Sequence, residues 1–364
     1  MHPAGSPSPT ARRLKPPTEQ QSPSRESILD LAATQTPLPS PIEAYFEVAN
    51  RCNSLCATCP ITFSPHEAAK QLSLDEFKHL VAQFPNLRRA VMQGIGEPLL
   101  NRDLAPMIRH LRSRGVYVVF NTNATLLTRR RQVELIESGL NELRVSIDGS
   151  TPETYLKVRG IPGFDRVVAN VAEMVRTKKQ LNAEDPRLSF WVTGMRENLE
   201  ELPDVVDLAA RIGVDEVYLQ RMVFGFDANA LARQEQTIFK EYRDEAEAII
   251  AEADRRAGAR GVVFRGSDTL SPLEAITDRA PGAEPWRACS RPLRLAYVTA
   301  QGTALPCCIA PFTDAPYASI TLGNYLRDGV ATVWNGGAYT KFREALYSSE
   351  PPACCRNCGL AWSL

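Results

Sequence analysis

The sequence predicts an α/β fold: a partial (β/α)6 TIM-like barrel followed by a small, cysteine-rich C-terminal domain. Three observations carry this. From Ile42 to about residue 260, short apolar runs alternate with longer amphipathic stretches. Such strand–helix repeats imply a parallel sheet with right-handed crossovers, and six of them can curl into a partial barrel. Beyond that point the pattern changes to short strands and turns that hold six of the nine cysteines. A chain of 364 residues, 44% hydrophobic and 23% charged, suits one large domain with an appendage.

Taken in order, residues 1–40 are rich in proline and serine and poor in large apolar side chains. Such a segment cannot bury enough surface to fold and reads as a disordered tail, with Arg25–Ala33 as one short helix within it. Strands are expected at 42–48, 88–94, 116–122, 142–148, 187–193 and 215–221. Between them, 73–84 reads as a helix with Ser73 as N-cap and Glu76 closing a capping box. A second helix, 128–139, ends at Gly139, and its Arg129–Arg131 run reads as a solvated face. A long helical stretch covers 233–258. The barrel is assigned to 41–260, a bridging segment to 261–285 and the second domain to 286–364. Ligands of such sheets gather at the C-terminal strand ends. Gln220 and Arg221 therefore face the expected cavity, whereas Tyr297 and Trp334 read as core.

Charge excludes some partners. Lys plus Arg equals Asp plus Glu at 42 each, so nothing points to nucleic acid or to an anionic membrane surface. No apolar run is long enough to span a bilayer, and no secretion signal opens the chain. Proline at the density of the first residues argues against a transit peptide. Nine clustered cysteines in such a chain favour metal or redox chemistry in a reducing, cytoplasmic setting.

The first cluster is "NRCNSLCATCP", with Cys52, Cys56 and Cys59 just after the first strand. A structural zinc wants four protein ligands, and of His2, His66, His79 and His110 only His66 is near; it is a poor fourth ligand. A [4Fe–4S] cluster also takes four ligands. Three thiolates would leave one iron open to an exogenous ligand, as a catalytic site requires.

"CNSLCATC" resembles the signature of radical S-adenosylmethionine (radical SAM) enzymes, and three further stretches strengthen the resemblance. "MQGIGEPLL" is similar to that family's glycine-rich element, with Gly94, Gly96, Glu97 and Pro98. "NTNATLL", containing Asn123, and "VSIDGSTPETY", containing Ser146, close the third and fourth strands. The resemblance implies that SAM binds at the open iron and is held by these residues together with Arg159 and Gln220. It also implies reductive cleavage of SAM to a 5′-deoxyadenosyl radical that abstracts hydrogen from a substrate. Thr58 departs from the aromatic residue often found before the third cysteine, which loosens the expected packing on adenine.

The second set is Cys289, Cys307, Cys308, Cys354, Cys355 and Cys358. With "LGNYLRDGVATVWNGGAYTKFREAL" between them, this region resembles SPASM or twitch auxiliary domains. Six thiols cannot fully ligate two cubanes, so one auxiliary [4Fe–4S] cluster is expected. Its ligands are taken as Cys289, Cys307, Cys355 and Cys358, with Cys308 and Cys354 as alternates, because neighbours on a strand point to opposite faces. A four-cysteine zinc site is the other reading of the same count. The resemblance further implies an electron donor such as flavodoxin or ferredoxin. The leading expectation is net oxidation of a sugar-like small molecule, because the tail is too short for a peptide-recognition domain. Modification of a ribosomal peptide or protein side chain is the alternative. A non-catalytic iron–sulfur or zinc module is a third reading, which leaves the missing fourth ligand and the glycine turn without a purpose.

Overall fold

Nine strands form one sheet in the computed structural model, which describes residues 37–63, 65–223, 236–238, 243–266, 271–273, 285–356 and 358. They are β1 (Glu43–Phe46), β2 (Arg89–Val91), β3 (Tyr117–Thr122), β4 (Glu142–Ser146), β5 (Arg187–Gly194), β6 (Glu216–Arg221), β7 (Val263–Arg265), β8 (Leu295–Val298) and β9 (Ala304–Leu305). The order is β7-β6-β5-β4-β3-β2-β1-β8-β9, parallel throughout except for β9 against β8. This is the open, mostly parallel sheet of a partial TIM-like barrel.

The six expected strands are all present, and three more extend them. Strand β7 falls in the expected bridging segment. Strand β8, at the start of the cysteine-rich region, pairs with β1 in register Glu43↔Leu295 to Phe46↔Val298. The C-terminal region thus begins by extending the barrel sheet. At the other end, Leu38 N donates to Asn335 Oδ1 (2.8 Å) and Trp334 Nε1 donates to Pro39 O (2.9 Å). Residues 38 and 39, read as tail, are therefore fastened to the C-terminal region. Residues 1–36, with the short helix expected at 25–33, lie outside the described residues, as do parts of 233–242 and 261–285.

Side chains alternate between the two faces of a strand, and here the faces differ in kind. Ala44, Phe46, Ala90, Val118, Phe120, Leu143, Val145, Leu188, Phe190, Val217 and Leu219 are buried in the core beneath the helices. The inner face carries Glu43, Tyr45 and Glu47 on or just after β1, Glu142, Arg144 and Ser146 on β4, and Glu216, Tyr218 and Gln220 on β6.

Helices cover the apolar face through matching stripes. The helix Leu74–Ala82 starts at the capping box of Ser73 and Glu76 and buries Phe77, Leu80 and Val81. The Arg129–Arg131 run is largely the solvated face expected, with Arg129 and Arg130 exposed. Arg129 bonds Gln180 (2.6 Å) and Arg131 reaches Glu134 (3.1 Å), so the run also ties helices together. Trp334 is core, as expected, and its ring is covered by the Arg343 guanidinium. No helix among the described residues is long and apolar enough to cross a membrane.

Candidate active site

The loop carrying Cys52, Cys56 and Cys59 leaves β1 at its C-terminal end and is held by the segments after β2, β3 and β4. After β2, Glu97 N donates to Arg51 O (2.7 Å), and Cys59 Sγ stands 3.8 Å from Ile95 O. After β3, Asn123 Nδ2 donates to Asn53 Oδ1 (2.9 Å) and Ser54 Oγ (3.0 Å) and lies 3.9 Å from Cys52 Sγ. After β4, Leu55 N and Ala57 N donate to Arg159 O and Val158 O, both at 3.1 Å. The three thiols are unbridged and half-buried. Burial pushes all three up, Cys59 to about 12, so as bare thiols they would stay neutral. Only a bound cation makes three thiolates stable there.

The glycine turn is fitted to this loop atom by atom. A Cβ on Gly96 would fall on the Ala49 carbonyl oxygen, and one on Gly94 would fall on the Glu47 side chain. Pro98 opens a buried 3₁₀ turn. Glu97 points inward: its carboxylate accepts from Leu99 N (3.0 Å), Thr122 Oγ1 (2.7 Å) and Asn123 N (2.8 Å). Glu97 and Asn123 are thus fasteners that fix the turn and the cysteine loop to β3.

Arg159 is buried beside Cys56. Burial works against its charge, but Cys56 and Asp148 raise its pKa, and Asp148 Oδ2 accepts from it at 2.9 Å. Its Nε is buried with no hydrogen-bond partner. An orphaned guanidinium N–H facing thiols is what an anionic cofactor group, or a cluster ligated by thiolates, would satisfy. The residues present therefore fit the [4Fe–4S] and SAM pair. Ser146 and Gln220 end β4 and β6 on the same inner face, half-buried, and neither side chain bonds another described residue.

In the C-terminal region the six cysteines form one group. Burial raises Cys289, Cys307 and Cys358, the last to about 12, and neighbouring cysteines push each of them further. Cys354 and Cys355 lie on the short helix Ala353–Arg356 with sulfurs 3.7 Å apart. The strand argument for choosing within that pair fails, because on a helix adjacent side chains lie about 100° apart rather than on opposite faces, and here their sulfurs meet. Among the described residues, no three His, Cys, Asp or Glu side chains gather around one point to hold a metal ion. His66 lies away from this chemistry, stacked on Tyr317 with centroids 4.5 Å apart.

One feature escaped the sequence reading. Glu47, 2% exposed, lines a small cavity between β1, the glycine turn and the C-terminal region. It accepts from Ile95 N (2.8 Å) and Ala300 N (3.2 Å), and burial pushes it up to about 7. The signal was present in the alternation of "EAYFEV", which places Glu43, Tyr45 and Glu47 on one face.

Comparison with known proteins follows this geometry. A family described as the radical SAM superfamily matches residues 46–209, and SPASM, described as an iron–sulfur cluster-binding domain, matches residues 289–359. The chain is 24% identical to the PqqA peptide cyclase of Bradyrhizobium diazoefficiens, over 87% of this chain and 78% of that one. It is 31% identical to the AdoMet-dependent heme synthase of Methanosarcina barkeri, over 46% of this chain and 47% of that one. In fold it is similar to Streptococcus suis SuiB bound to S-adenosylmethionine, with TM-score 0.66 and 16% identity over 95% of this chain and 77% of that one.

Proposed function

Because the chain belongs to the radical SAM superfamily and ends in a SPASM-type iron–sulfur domain, we propose that it is a radical-mediated enzyme that modifies a peptide side chain. The observation that carries the chemistry is the three-cysteine loop locked to the glycine turn, with the orphaned Arg159 N–H beside Cys56. What favours a peptide over the sugar-like small molecule expected from sequence is the similarity to a peptide cyclase along 87% of the chain.

In this reading Cys52, Cys56 and Cys59 hold the first cluster. Gly94, Gly96 and Pro98 let SAM approach the backbone, while Ser146, Arg159 and Gln220 bind its polar groups. Asn123 and Glu97 position the loop and the turn. Cys289, Cys307, Cys355 and Cys358 hold the auxiliary cluster, with Cys308 and Cys354 as alternates, and a flavodoxin or ferredoxin supplies electrons. When bound, the reduced cluster and SAM supply a carbon radical able to abstract hydrogen. The chain's own work is orientation: Asp148 holds Arg159 against the cysteine loop, and the segments after β2, β3 and β4 keep that loop in register.

Anaerobic reconstitution should give about eight irons per chain, two cubanes by cysteine count. Dithionite with SAM should then yield 5′-deoxyadenosine. A protein that took up only zinc, or that left SAM intact, would overturn the proposal.

A further inference from the structure

Buried carboxylates on the inner face of the sheet come in two kinds. Glu43, Glu142, Glu216 and the nearby Asp148 each have at least one arginine partner. Glu47 has none, and neither has Glu67, its half-buried neighbour across the cavity, among the described residues; Glu67 accepts from Thr303 Oγ1 at 2.5 Å and from the Tyr317 hydroxyl. Two carboxylates thus line one small cavity with no lysine or arginine among its described lining residues. The room in it is that of a water-sized group, which suits an ammonium rather than a nucleotide.

The remaining walls are aromatic. Tyr297, Tyr317 and His66 line the cavity, with His66 stacked on Tyr317. Tyr297 is 2% exposed, and its hydroxyl bonds no described residue and stays open to the cavity. Burial holds the His66 pKa down, so the imidazole does not offer the missing positive charge at neutral pH. Carboxylates without a counter-ion, ring faces and a free hydroxyl together describe a receptor for a protonated nitrogen.

Its place in the fold gives this chemistry a use. Ile95 lines the cavity, donates its N–H to Glu47 and has its carbonyl 3.8 Å from Cys59 Sγ. On the far side the wall is Leu305, two residues before Cys307. The cavity therefore lies between the two cysteine sets.

We propose that this cavity is a substrate subsite that takes an ammonium group, as on a lysine side chain, between the two iron–sulfur sites. It rests on the reading above only for the purpose of that placement; the cation preference stands on the cavity itself. Glu47 receives the charge, Glu67 closes the outer wall, and Tyr297 supplies a hydroxyl acceptor.

The test is calorimetric titration of the anaerobically reconstituted holoenzyme with N-acetyl-lysine methylamide and with its neutral counterpart, N-acetyl-norleucine methylamide. The lysine compound should bind about ten-fold or more tightly, the scale of one charge-assisted hydrogen bond. Glu47→Gln should erase most of that preference. Because Glu47 also anchors Ile95 and Ala300, Glu67→Gln serves as the second variant and should reduce the preference about three-fold. Norleucine methylamide with a free α-amine distinguishes a chain-terminal amine from a side-chain amine, and a preference for either over the neutral compound supports the site. Equal binding of charged and neutral compounds by the wild type overturns it. SAM cleavage, followed in the same samples, separates the two proposals: cleavage without cation preference removes only this one, and cation preference without cleavage removes only the radical reading.

Discussion

At the N-terminal ends of the strands, buried acids on the inner face lie among arginines. Glu43 pairs with Arg89 and with Arg294 (2.9 Å), Glu142 with Arg144 (2.8 Å) and Arg187 (3.3 Å), and Glu216 with Arg265 (2.8 Å) and Arg187 (3.5 Å). Above them the Arg144 guanidinium lies 4.3 Å from the Trp191 ring centroid, Trp191 stacks on Tyr218 at 4.1 Å, and Arg265 covers Tyr218 from 5.5 Å. At the C-terminal ends of the same strands this self-sufficiency stops. Among the described residues, Glu47 has amides but no cation, the Ser146 and Gln220 side chains make no hydrogen bond, and Arg159 keeps an orphaned N–H. Apart from the buried Arg187 Nε, one tier satisfies its polar groups internally; the other leaves several groups open to a ligand. The difference distinguishes a structural floor from a working rim.

The largest effect should come from the rim's cysteine loop. Cys56→Ala should abolish 5′-deoxyadenosine formation and lower iron from about eight to about four per chain, because the auxiliary set is untouched. Persistent SAM cleavage in that variant would remove the distinction between rim and floor. Next comes the floor: Glu142→Ala leaves Arg144 and Arg187 without their shared carboxylate. Removing one partner of a buried pair costs about 3–5 kcal/mol, whereas the pair itself adds little over a well-packed apolar one. Denaturant unfolding should show that loss while the iron content of the folded fraction stays the same.

How much of this was legible beforehand follows the range of each interaction. The six barrel strands, the capping box at Ser73 and both cysteine sets are local patterns, and each could be read from a few adjacent residues. The pairing of β1 with β8 joins Glu43 to Leu295, and nothing near either residue announces it. The inward turn of Glu97 needed Thr122 and Asn123, and the cavity needed four separate segments. The polar inner face lay in between. Its alternation is written in "EAYFEV" and "EVYLQR", but which acids would meet an arginine depends on neighbouring strands.

Acid and base should act on the two tiers with opposite sign. Burial pushes Glu142 up, but Arg144 and Arg187 outweigh it and hold the carboxyl at about 2, below its ordinary value of 4.5. Its contribution is complete above pH 4.5 and is lost as pH falls toward 2, about 3 kcal/mol in all. Glu47, at about 7, is raised by burial against its two amides. Its native state holds the proton longer than the unfolded chain, so stability is greatest below pH 4.5 and falls as pH rises to 7, again by about 3 kcal/mol. Urea midpoints of the reduced apo-protein should therefore flatten between pH 5 and 8 in Glu47→Gln. Glu142→Gln should leave that limb unchanged. If both variants kept the wild-type slope, the electrostatic contrast between tiers would be wrong.

The smallest expected change in stability belongs to Ser146 and Gln220, and it tests the rim most cleanly. Both are half-buried at strand ends, and neither side chain bonds another described residue. Ser146→Ala and Gln220→Ala should therefore shift unfolding by no more than about 0.5 kcal/mol, as for residues outside any packed or bonded network. If these side chains face SAM, each should still weaken its binding by about five- to ten-fold, the worth of one hydrogen bond to a charged ligand. Equilibrium dialysis with SAM on the reconstituted protein measures this without relying on turnover. A variant that lost stability but kept its SAM affinity would place its residue with the floor, as a structural contact.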